Sequence, residues 1–386
     1  MIASKNNNLS KKLILILICL ISFLCCFVPY KAYASSYTSA KAMIVMEAKD
    51  GRVLYSKNEN EKLPMASTTK IVTALTVLNN CKDLDKLVTI TKQPTLVTGT
   101  SIYLRQGEQL TIRQLLYGLM LQSGNDAAVA LALEVGGSIE NFAQMMNKTA
   151  IDCGAECSSF KNPHGLDQEG HYTTVCDLAK ITIKALKHPD FKQIVSSKQY
   201  VIAGGENTTE RKLVNKNKLL TSLDGCIGVK TGYTSKAGRC LVSAAERDDM
   251  QVVCVVLNCR PMFEESQALI NKAFKEYSLV ELLPDYTHIA DVSVVGGEKS
   301  NVKVYNKTGL KKVLTDDEKK QVCVSYDYPE TLKAPLKKDQ KVGQVKINLN
   351  NDLIFSGNLY IIEEVKSTNF TDKLNNIIDK WKNLWE

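Results

Sequence analysis

Strand-like patterns stand at both ends of the first 280 residues and enclose a long series of helical patterns. Apolar runs on either side of an Asp50-Gly51 turn are typical of a hairpin. Three further strand-like runs follow late in this segment, at 228–233, 239–245 and 251–258. Helical patterns lie at 67–78, 112–121, 126–135, 139–153 and 173–187, and one more at 264–277. Early and late strands have to form one sheet across these helices. The sequence therefore predicts an α/β domain, with an antiparallel sheet flanked by helices plus an all-helical lobe.

The pattern changes beyond about residue 283, where short alternating runs predict a small all-β domain over 283–366. A chain of 386 residues is too long for one ordinary core, which agrees with a second domain. The last segment, 367–386, differs again. From Phe370 onward its apolar residues, which include Trp381 and Trp385, fall on one helical face. Such a helix is typical of a membrane-surface anchor, and the alternative is a helix packed on its own β domain.

The N-terminus has the three parts of a secretory signal peptide. Lysines precede an apolar run from Leu13 to Val28, and the small-x-small segment Ala32-Tyr33-Ala34 follows. The apolar run has 16 residues, fewer than the roughly 20 that span a bilayer, which disfavours a retained anchor. We therefore predict cleavage after Ala34 and assign 1–34 to the signal and 35–282 to the first folded domain. The expected location of the mature chain is the outer face of the cytoplasmic membrane or the space beyond it.

Charge and cysteine content exclude several classes of function. Removal of 1–34, with four Lys and no acid, lowers the formal net charge from +8 to +4, a surplus that does not argue for nucleic acid. Nine cysteines remain, with no zinc-knuckle spacing, and we interpret them mainly as small buried apolar residues. The four histidines, His164, His171, His188 and His288, form no metal-ligand pattern, and no phosphate-binding glycine loop occurs. No metal or cofactor is expected.

The first chemical motif joins Ser67 to Lys70 at the start of a predicted helix. A spacing of three puts both side chains on one face, so the amine can reach the hydroxyl. A serine needs an adjacent base to act as a nucleophile. The lysine can be that base only when neutral, which requires burial or a nearby cation to lower its pKa.

Two later motifs offer further polar groups. Ser123-Gly124-Asn125 lies between two predicted helices, where the serine could relay a proton and the asparagine could hold Lys70 or a substrate amide. Lys230-Thr231-Gly232 lies on a predicted strand. Its lysine would supply a cation and its threonine a hydrogen bond to a substrate carboxylate, and its glycine would leave room for a peptide along the strand edge.

Each motif by itself can occur by chance in a chain of this length. The choice among the occurrences therefore rests on their order, spacing and sequence context. Lys-Thr-Gly also occurs at Lys307, which we interpret as a turn in the β domain. The other motifs recur at Ser158/Lys161, Ser300/Lys303, Ser56/Asn58 and Ser367/Asn369. The chosen set stands in the order Ser67, Ser123, Lys230, with separations of 56 and 107 residues.

Together with its flanking residues, this set of motifs resembles the low-molecular-mass D-alanyl-D-alanine carboxypeptidases of peptidase family S11, which are penicillin-binding proteins. The sequence segments that carry the resemblance are Met65-Ala66-Ser67-Thr68-Thr69-Lys70, Ser123-Gly124-Asn125-Asp126-Ala127-Ala128, Asn162-Pro163-His164-Gly165-Leu166-Asp167 and Lys230-Thr231-Gly232-Tyr233-Thr234-Ser235-Lys236-Ala237-Gly238. The resemblance covers about 37–280, and the trailing domain and terminal helix match the family's layout. It implies a β-lactamase/transpeptidase-like fold.

The resemblance also implies roles for these residues. Ser67 would attack the carbonyl between the last two D-alanines of a peptidoglycan stem peptide, and Lys70 would take its proton. The backbone N–H groups of Ser67 and Tyr233 would hold the oxyanion. Ser123, with Asn125 nearby, would pass a proton to the departing D-alanine. Substrate binding would fall to Lys230, Thr231 and Gly232, and β-lactams would acylate Ser67 as inhibitors.

Two positions depart from the family, and other functions remain open. Several members have histidine where this chain has Tyr233, and Glu265 stands where we would look for an arginine that assists carboxylate binding. A DD-endopeptidase or transpeptidase shares the same bond chemistry. A serine β-lactamase is disfavoured, because no convincing Glu-x-x-x-Asn loop lies between Asn125 and Lys230. A catalytically inactive wall-binding protein is disfavoured by the intact motifs.

Overall fold

The structure is a computed structural model that describes residues 38–204 and 209–369, together with Ile378 and Trp381. The predicted signal peptide lies outside these residues, and so does the predicted terminal helix apart from Ile378 and Trp381, which are helical and exposed. None of the helices in the described ranges has the length and apolar character needed to cross a membrane.

The six helices predicted in the first 280 residues are present, whereas the helices Pro189–Ser196 and Leu219–Ser222 were not predicted. Two short 3-10 turns lie at Ala66–Thr69 and Gln93–Leu96. The α-helices are α1 Lys70–Asn80, α2 Ile112–Leu121, α3 Asn125–Gly136, α4 Ile139–Asp152, α5 Val175–Leu186, α6 Pro189–Ser196, α7 Leu219–Ser222, α8 Met262–Glu276 and α9 Asp316–Lys319. At the start of α2, Thr111 Oγ1 accepts from the Gln114 N–H at 3.1 Å and Gln114 Oε1 accepts from the Thr111 N–H at 2.9 Å. This capping box satisfies two backbone donors and fixes where the helix begins.

In the part of the chain that the structure describes, the strands form one main sheet, one sheet in the C-terminal region and three two-stranded pairs. They are β1 Ala42–Glu47, β2 Val53–Lys57, β3 Leu87–Thr89, β4 Gln109–Thr111, β5 Gln199–Ile202, β6 Arg211–Val214, β7 Cys226–Thr234, β8 Gly238–Arg247, β9 Met250–Leu257, β10 Ser278–Leu283, β11 His288–Val295, β12 Asn301–Asn306, β13 Leu310–Leu314, β14 Val322–Asp327, β15 Thr331–Lys333, β16 Lys341–Leu349 and β17 Asp352–Ile361.

The main sheet has the order β2-β1-β9-β8-β7 and is antiparallel throughout. Alternate residues of β9 pack on opposite faces. Val253 and Val255 contact the core of the helical lobe, whereas Val252 and Cys254 contact the core under α8. Burial of each large apolar side chain contributes about 1.5–3 kcal/mol, so this two-sided strand anchors the sheet. The predicted fold class of the first domain is confirmed, and β7 is left at the sheet edge.

Within the described residues 283–369 the only helix is the single turn of α9, which agrees with the predicted all-β domain. Six strands have the order β14-β16-β17-β12-β11-β15 around their own apolar core, and β11 and β15 are the parallel pair. Strand β10 pairs with β13, so the predicted boundary at 283 falls at the end of a strand that pairs with this region. Lys307-Thr308-Gly309 lies in the turn between β12 and β13, where we expected it.

Several local predictions were wrong or incomplete. Ser67 lies in a 3-10 turn and the α-helix begins at Lys70, while Asn125 opens α3 instead of lying in the break before it. The pairs β3/β4 and β5/β6 were missed, because strands of three or four residues carry too few alternations to be recognised.

The nine described cysteines are all free thiols. Cys240, Cys254 and Cys259 are buried, as we expected of the group as a whole. That interpretation was wrong for Cys157 and Cys323, which are exposed.

Candidate active site

Ser67 and Lys70 face each other where the 3-10 turn meets α1. Ser67 is half-buried and Lys70 is fully buried. The Lys70 Nζ lies 2.9 Å from Ser67 Oγ. The predicted reach of amine to hydroxyl is therefore present without any rearrangement.

The surroundings of the Lys70 amine show which protonation state fits. Its Nζ donates to Asn125 Oδ1 and to the His164 carbonyl, both at 2.7 Å. These two oxygens can only accept, so they use two N–H groups, and a neutral amine then turns its lone pair to the Ser67 hydroxyl. Burial lowers the pKa of Lys70 well below its ordinary value, and the neighbouring cations Lys230 and Lys216 lower it further. Burial and nearby cations, either of which we expected to lower this pKa, therefore act together on Lys70.

The loop between α2 and α3 brings in the second motif. Ser123 is buried with a φ of +64°, a left-handed conformation that turns the chain sharply between the helices. Asn125 is also buried, and its Nδ2 donates to the Thr98 carbonyl at 2.6 Å while its Oδ1 holds Lys70. Of the two options for this asparagine, the structure shows the contact with Lys70.

The edge strand β7 closes the other side of the site. Lys230 is fully buried, and burial together with Lys216 lowers its pKa to about 7. A Cβ on Gly232 would lie 3.0 Å from the Met65 carbonyl and 3.1 Å from the Ser67 nitrogen. A side chain here would therefore crowd the backbone that carries the serine, which would have to shift by a few tenths of an ångström. Tyr233 is exposed.

A cavity of about 400 Å³ joins the three motifs. It is lined by Ser67, Ser123, Asn125, Thr231, Gly232 and Tyr233, and Lys230 lies buried beneath it. The sequence-predicted residues are therefore brought together. In the described ranges, no three His, Cys, Asp or Glu side chains gather in a way that could hold a metal ion.

Three residues of the site were missed from the sequence. Lys216 and Arg239 line the cavity, and the carbonyl of His164 holds Lys70. Arg239 lies opposite Tyr233 across the β7–β8 hairpin, with its guanidinium 5.7 Å from the ring centre, whereas the Glu265 carboxylate accepts from the Ser39 N–H at 2.9 Å. The hairpin register around Lys236-Ala237-Gly238 was the signal that could have located Arg239. Lys216 gave no signal in the sequence.

The loop that carries His164 packs tightly under the nucleophile. Gly165 has a φ of +88°, and a Cβ there would lie 2.0 Å from the Ala66 carbonyl. His171 fixes the same region, since its Nδ1 accepts from the Lys161 N–H at 3.0 Å and its Nε2 lies 2.9 Å from Thr69 Oγ1. The neutral ring therefore carries its proton on Nε2 and donates to Thr69. The interpretation of His171 as structural agrees with these contacts.

Protonation of His171 is expected to destabilise the fold in mild acid. Burial, with Lys161 adding a smaller effect, lowers its pKa to about 4 from the ordinary 6.5. Between pH 7 and 5 the unfolded chain takes up a proton here and the folded protein does not. The free energy of unfolding should therefore fall by about 1–2 kcal/mol from this group alone. Urea unfolding of the wild type and His171→Gln at both pH values measures it, and an unchanged pH response in the variant would contradict the prediction.

Comparison with known proteins identifies the family. Residues 30–260 match the family model Peptidase S11, D-alanyl-D-alanine carboxypeptidase. The chain belongs to peptidase family S11. Residues 277–367 of this S11 peptidase match the C-terminal domain of penicillin-binding protein 5.

Individual relatives agree over nearly the whole length of the chain. The S11 peptidase is 31% identical to D-alanyl-D-alanine carboxypeptidase DacF of Bacillus subtilis, over 89% of this chain and 90% of the relative. It is 34% identical to DacC of Escherichia coli, over 90% and 91%. The solved structure of penicillin-binding protein 5 from Haemophilus influenzae is similar with a TM-score of 0.68 at 27% identity, covering 86% of this chain and 99% of that one.

Proposed function

We propose that this D-alanyl-D-alanine carboxypeptidase removes the terminal D-alanine of peptidoglycan stem peptides through an acyl ester on Ser67. The observation that carries the proposal is the Lys70 amine, whose two donor positions are taken by carbonyl-type oxygens while its third position faces the serine hydroxyl. Such an amine can accept the proton that Ser67 loses when its oxygen attacks the peptide carbonyl.

The developing oxyanion is assigned to the backbone N–H groups of Ser67 and Tyr233. The approach of β7 to the serine turn supports this role, because a Cβ at Gly232 would lie only 3.0 Å from the Met65 carbonyl and 3.1 Å from the Ser67 nitrogen. Donors fixed in this way before the reaction stabilise charge as it forms on the carbonyl oxygen. The histidine that several family members carry at position 233 is not needed for a backbone donor.

The terminal carboxylate of the substrate is assigned to Lys230 and Thr231, with Lys216 as a third contact. A pKa of about 7 leaves Lys230 a substantial fraction of its charge at neutral pH, and a bound carboxylate would favour the charged form. When the C–N bond breaks, the Ser123 hydroxyl gives its proton to the departing amine and is reprotonated by Lys70, which thereby returns the proton taken from Ser67. Water then hydrolyses the acyl ester, which returns the Ser67 hydroxyl and releases the shortened stem.

The test measures two things: release of D-alanine from a peptide, and acylation of Ser67 by a β-lactam. Purified protein lacking residues 1–34 is incubated with diacetyl-Lys-D-Ala-D-Ala, and free D-alanine is measured over time. In parallel, the protein is incubated with benzylpenicillin, digested and analysed by mass spectrometry. We expect steady release of D-alanine and a penicilloyl mass increase on the peptide that contains Ser67. Release without any adduct at Ser67, or rapid turnover of penicillin with no D-alanine released, would refute the assignment.

Export and peripheral membrane contact belong to the same proposal. The tripartite pattern of 1–34 supports export, and the single-sided apolar pattern of 370–386 supports a surface anchor. Deletion of 370–386 is expected to abolish co-flotation with liposomes that contain anionic lipid, while D-alanine release in solution persists. Equal flotation of the full and shortened proteins would exclude the anchor.

A further inference from the structure

The hairpin of β7 and β8 carries an arginine that lines the active-site cavity and takes no part in the catalytic steps. Arg239 is exposed, and it borders the cavity together with Thr231 and Tyr233. Its guanidinium lies 5.7 Å from the centre of the Tyr233 ring, within the distance of a cation–π contact. The ring therefore restrains a long side chain that would otherwise move freely in solvent.

The register of the hairpin puts Arg239 on the same face as Thr231. Tyr233 pairs with Arg239, and Thr231 pairs with Leu241. Paired residues, and residues two apart on one strand, point to the same face of an antiparallel sheet. Thr231 and Arg239 are thus diagonal neighbours, about 7–8 Å apart in such a ladder, which a long side chain can span. A carboxylate held by the Thr231 hydroxyl lies within reach of the guanidinium.

Arg239 also brings a permanent positive charge to this part of the cavity. It forms no ion pair with a carboxylate of the described ranges 38–204 and 209–369. The two lysines assigned to the substrate carboxylate are weaker cations, because burial lowers the pKa of Lys216 and lowers that of Lys230 to about 7. A guanidinium stays charged throughout the neutral range. The arginine is therefore the stronger anion-binding group of the three.

Apolar side chains border the cavity near the guanidinium. The Cys259 N–H donates to the Arg239 carbonyl at 2.8 Å, so the start of α8 lies close to this end of β8. Met262 and Phe263, the first two residues of α8, line the same cavity. Apolar walls limit access of water, which strengthens an ion pair formed beside them.

We propose that Arg239, held against the Tyr233 ring, binds the terminal carboxylate of the substrate and makes the enzyme select peptides with a free C-terminus. The inference rests on the proposed function, because this carboxylate belongs to the D-alanine that departs when Ser67 is acylated. Glu265, where the sequence pointed for such an arginine, accepts from the Ser39 N–H and lies outside the cavity lining. The two departures from the family are thereby explained together: the ring supports an arginine supplied by β8 instead of α8.

Two synthetic substrates test the assignment: diacetyl-Lys-D-Ala-D-Ala and the same peptide with a C-terminal amide. In Arg239→Gln at low ionic strength, we expect kcat/KM for the acid to fall by about tenfold to thirtyfold, because a charge-assisted hydrogen bond is lost. Release of D-alaninamide from the amide should stay within about twofold of the wild type. Arg239→Lys, which keeps the charge, should recover part of the loss.

The matched control is Lys236→Gln, which removes one positive charge from the turn of the same hairpin. Lys236 is exposed and lies outside the cavity lining, so both substrates should react as in the wild type. Tyr233→Leu tests the ring and keeps the backbone N–H. It should lower kcat/KM for the acid by about threefold relative to the amide, since an exposed cation–π contact is weak. An unchanged ratio in this variant would overturn the role given to the ring.

The outcomes separate this inference from the proposed function. Release of neither D-alanine nor D-alaninamide by the wild type would overturn the proposed function itself. Normal D-alanine release that Arg239→Gln leaves unchanged would overturn the role of Arg239 alone. Equal slowing of both substrates, with no recovery in Arg239→Lys, would also overturn it, since the side chain would then act only on the structure. The same would follow if Lys236→Gln reproduced the effect, because net charge would then be the cause.

Discussion

Ser67→Ala is expected to lower kcat/KM for D-alanine release by about 10⁴- to 10⁶-fold, the range found when the nucleophile of an acyl-transfer enzyme is removed. Without the hydroxyl there is no atom at this position that can form the acyl ester. Ser67 is half-buried and makes a 2.9 Å contact with Lys70 Nζ, so the loss in stability should stay near 1 kcal/mol. D-alanine release measures the activity, and thermal unfolding verifies that the variant is folded.

The chain itself offers a matched control for this change. Ser300 stands three residues before Lys303 in the same Ser-x-x-Lys pattern, but it lies in the C-terminal β region on an exposed position. Ser300→Ala should retain wild-type release and wild-type labelling by penicillin. Substantial D-alanine release by Ser67→Ala, or labelling lost only in Ser300→Ala, would show that the nucleophile had been assigned to the wrong serine.

Lys70→Met is expected to slow acylation by about 10³- to 10⁴-fold, because it removes the proposed general base while keeping an unbranched side chain in the buried space. In the wild type, acylation should rise with pH as Lys70 loses its proton. Burial and the neighbouring cations lower the pKa of this amine, so the rise occurs well below the ordinary lysine range. In the variant this rise should disappear. The measurement is the rate of labelling by a fluorescent penicillin between pH 5 and 9.

Stability has to be followed in the same experiment. Removal of the amine leaves Asn125 Oδ1 and the His164 carbonyl without their donor, which lowers the free energy of unfolding by about 1–3 kcal/mol for each. Because the variant no longer has to desolvate a polar amine on folding, part of this loss is offset. Lys303→Met is the control with the same spacing to a serine. If folded Lys70→Met kept the wild-type dependence of acylation on pH, the base would have to be another group.

Most helices and strands of this fold could be predicted from local sequence patterns. The capping box at Thr111 marks where a helix begins, and the unbroken apolar run of β9 after Gln251 is typical of a strand buried on both faces. Both signals lie within a few residues of chain, where the physics is local. The short pairs β3/β4 and β5/β6 were missed because their stability comes from contacts made elsewhere in the chain.

The residues of the site also divide into those that could be predicted from local sequence and those that could not. Ser67 and Lys70 could be assigned as a pair because one helical turn joins them, and this spacing is a local property. Lys216 could not be found, because it approaches Lys70 only when the chain after β6 returns to α2, where the Lys216 N–H donates to the Leu121 carbonyl at 3.3 Å. Arg239 reaches the cavity through the register of the β7–β8 hairpin.

The sequence by itself determined which chemistry this protein carries: a serine with a lysine one turn away, two further motifs in a fixed order, and an antiparallel sheet around helices. Only the tertiary structure decided that the pKa of Lys70 is lowered, because that depends on burial and on cations from distant segments. It also decided why Gly165 has to lack a side chain, and why a side chain at Gly232 would crowd the backbone at Ser67. The spacing of side chains along one helical turn depends only on neighbouring residues. Desolvation and close packing depend on segments that are distant in the sequence and meet only in the folded protein.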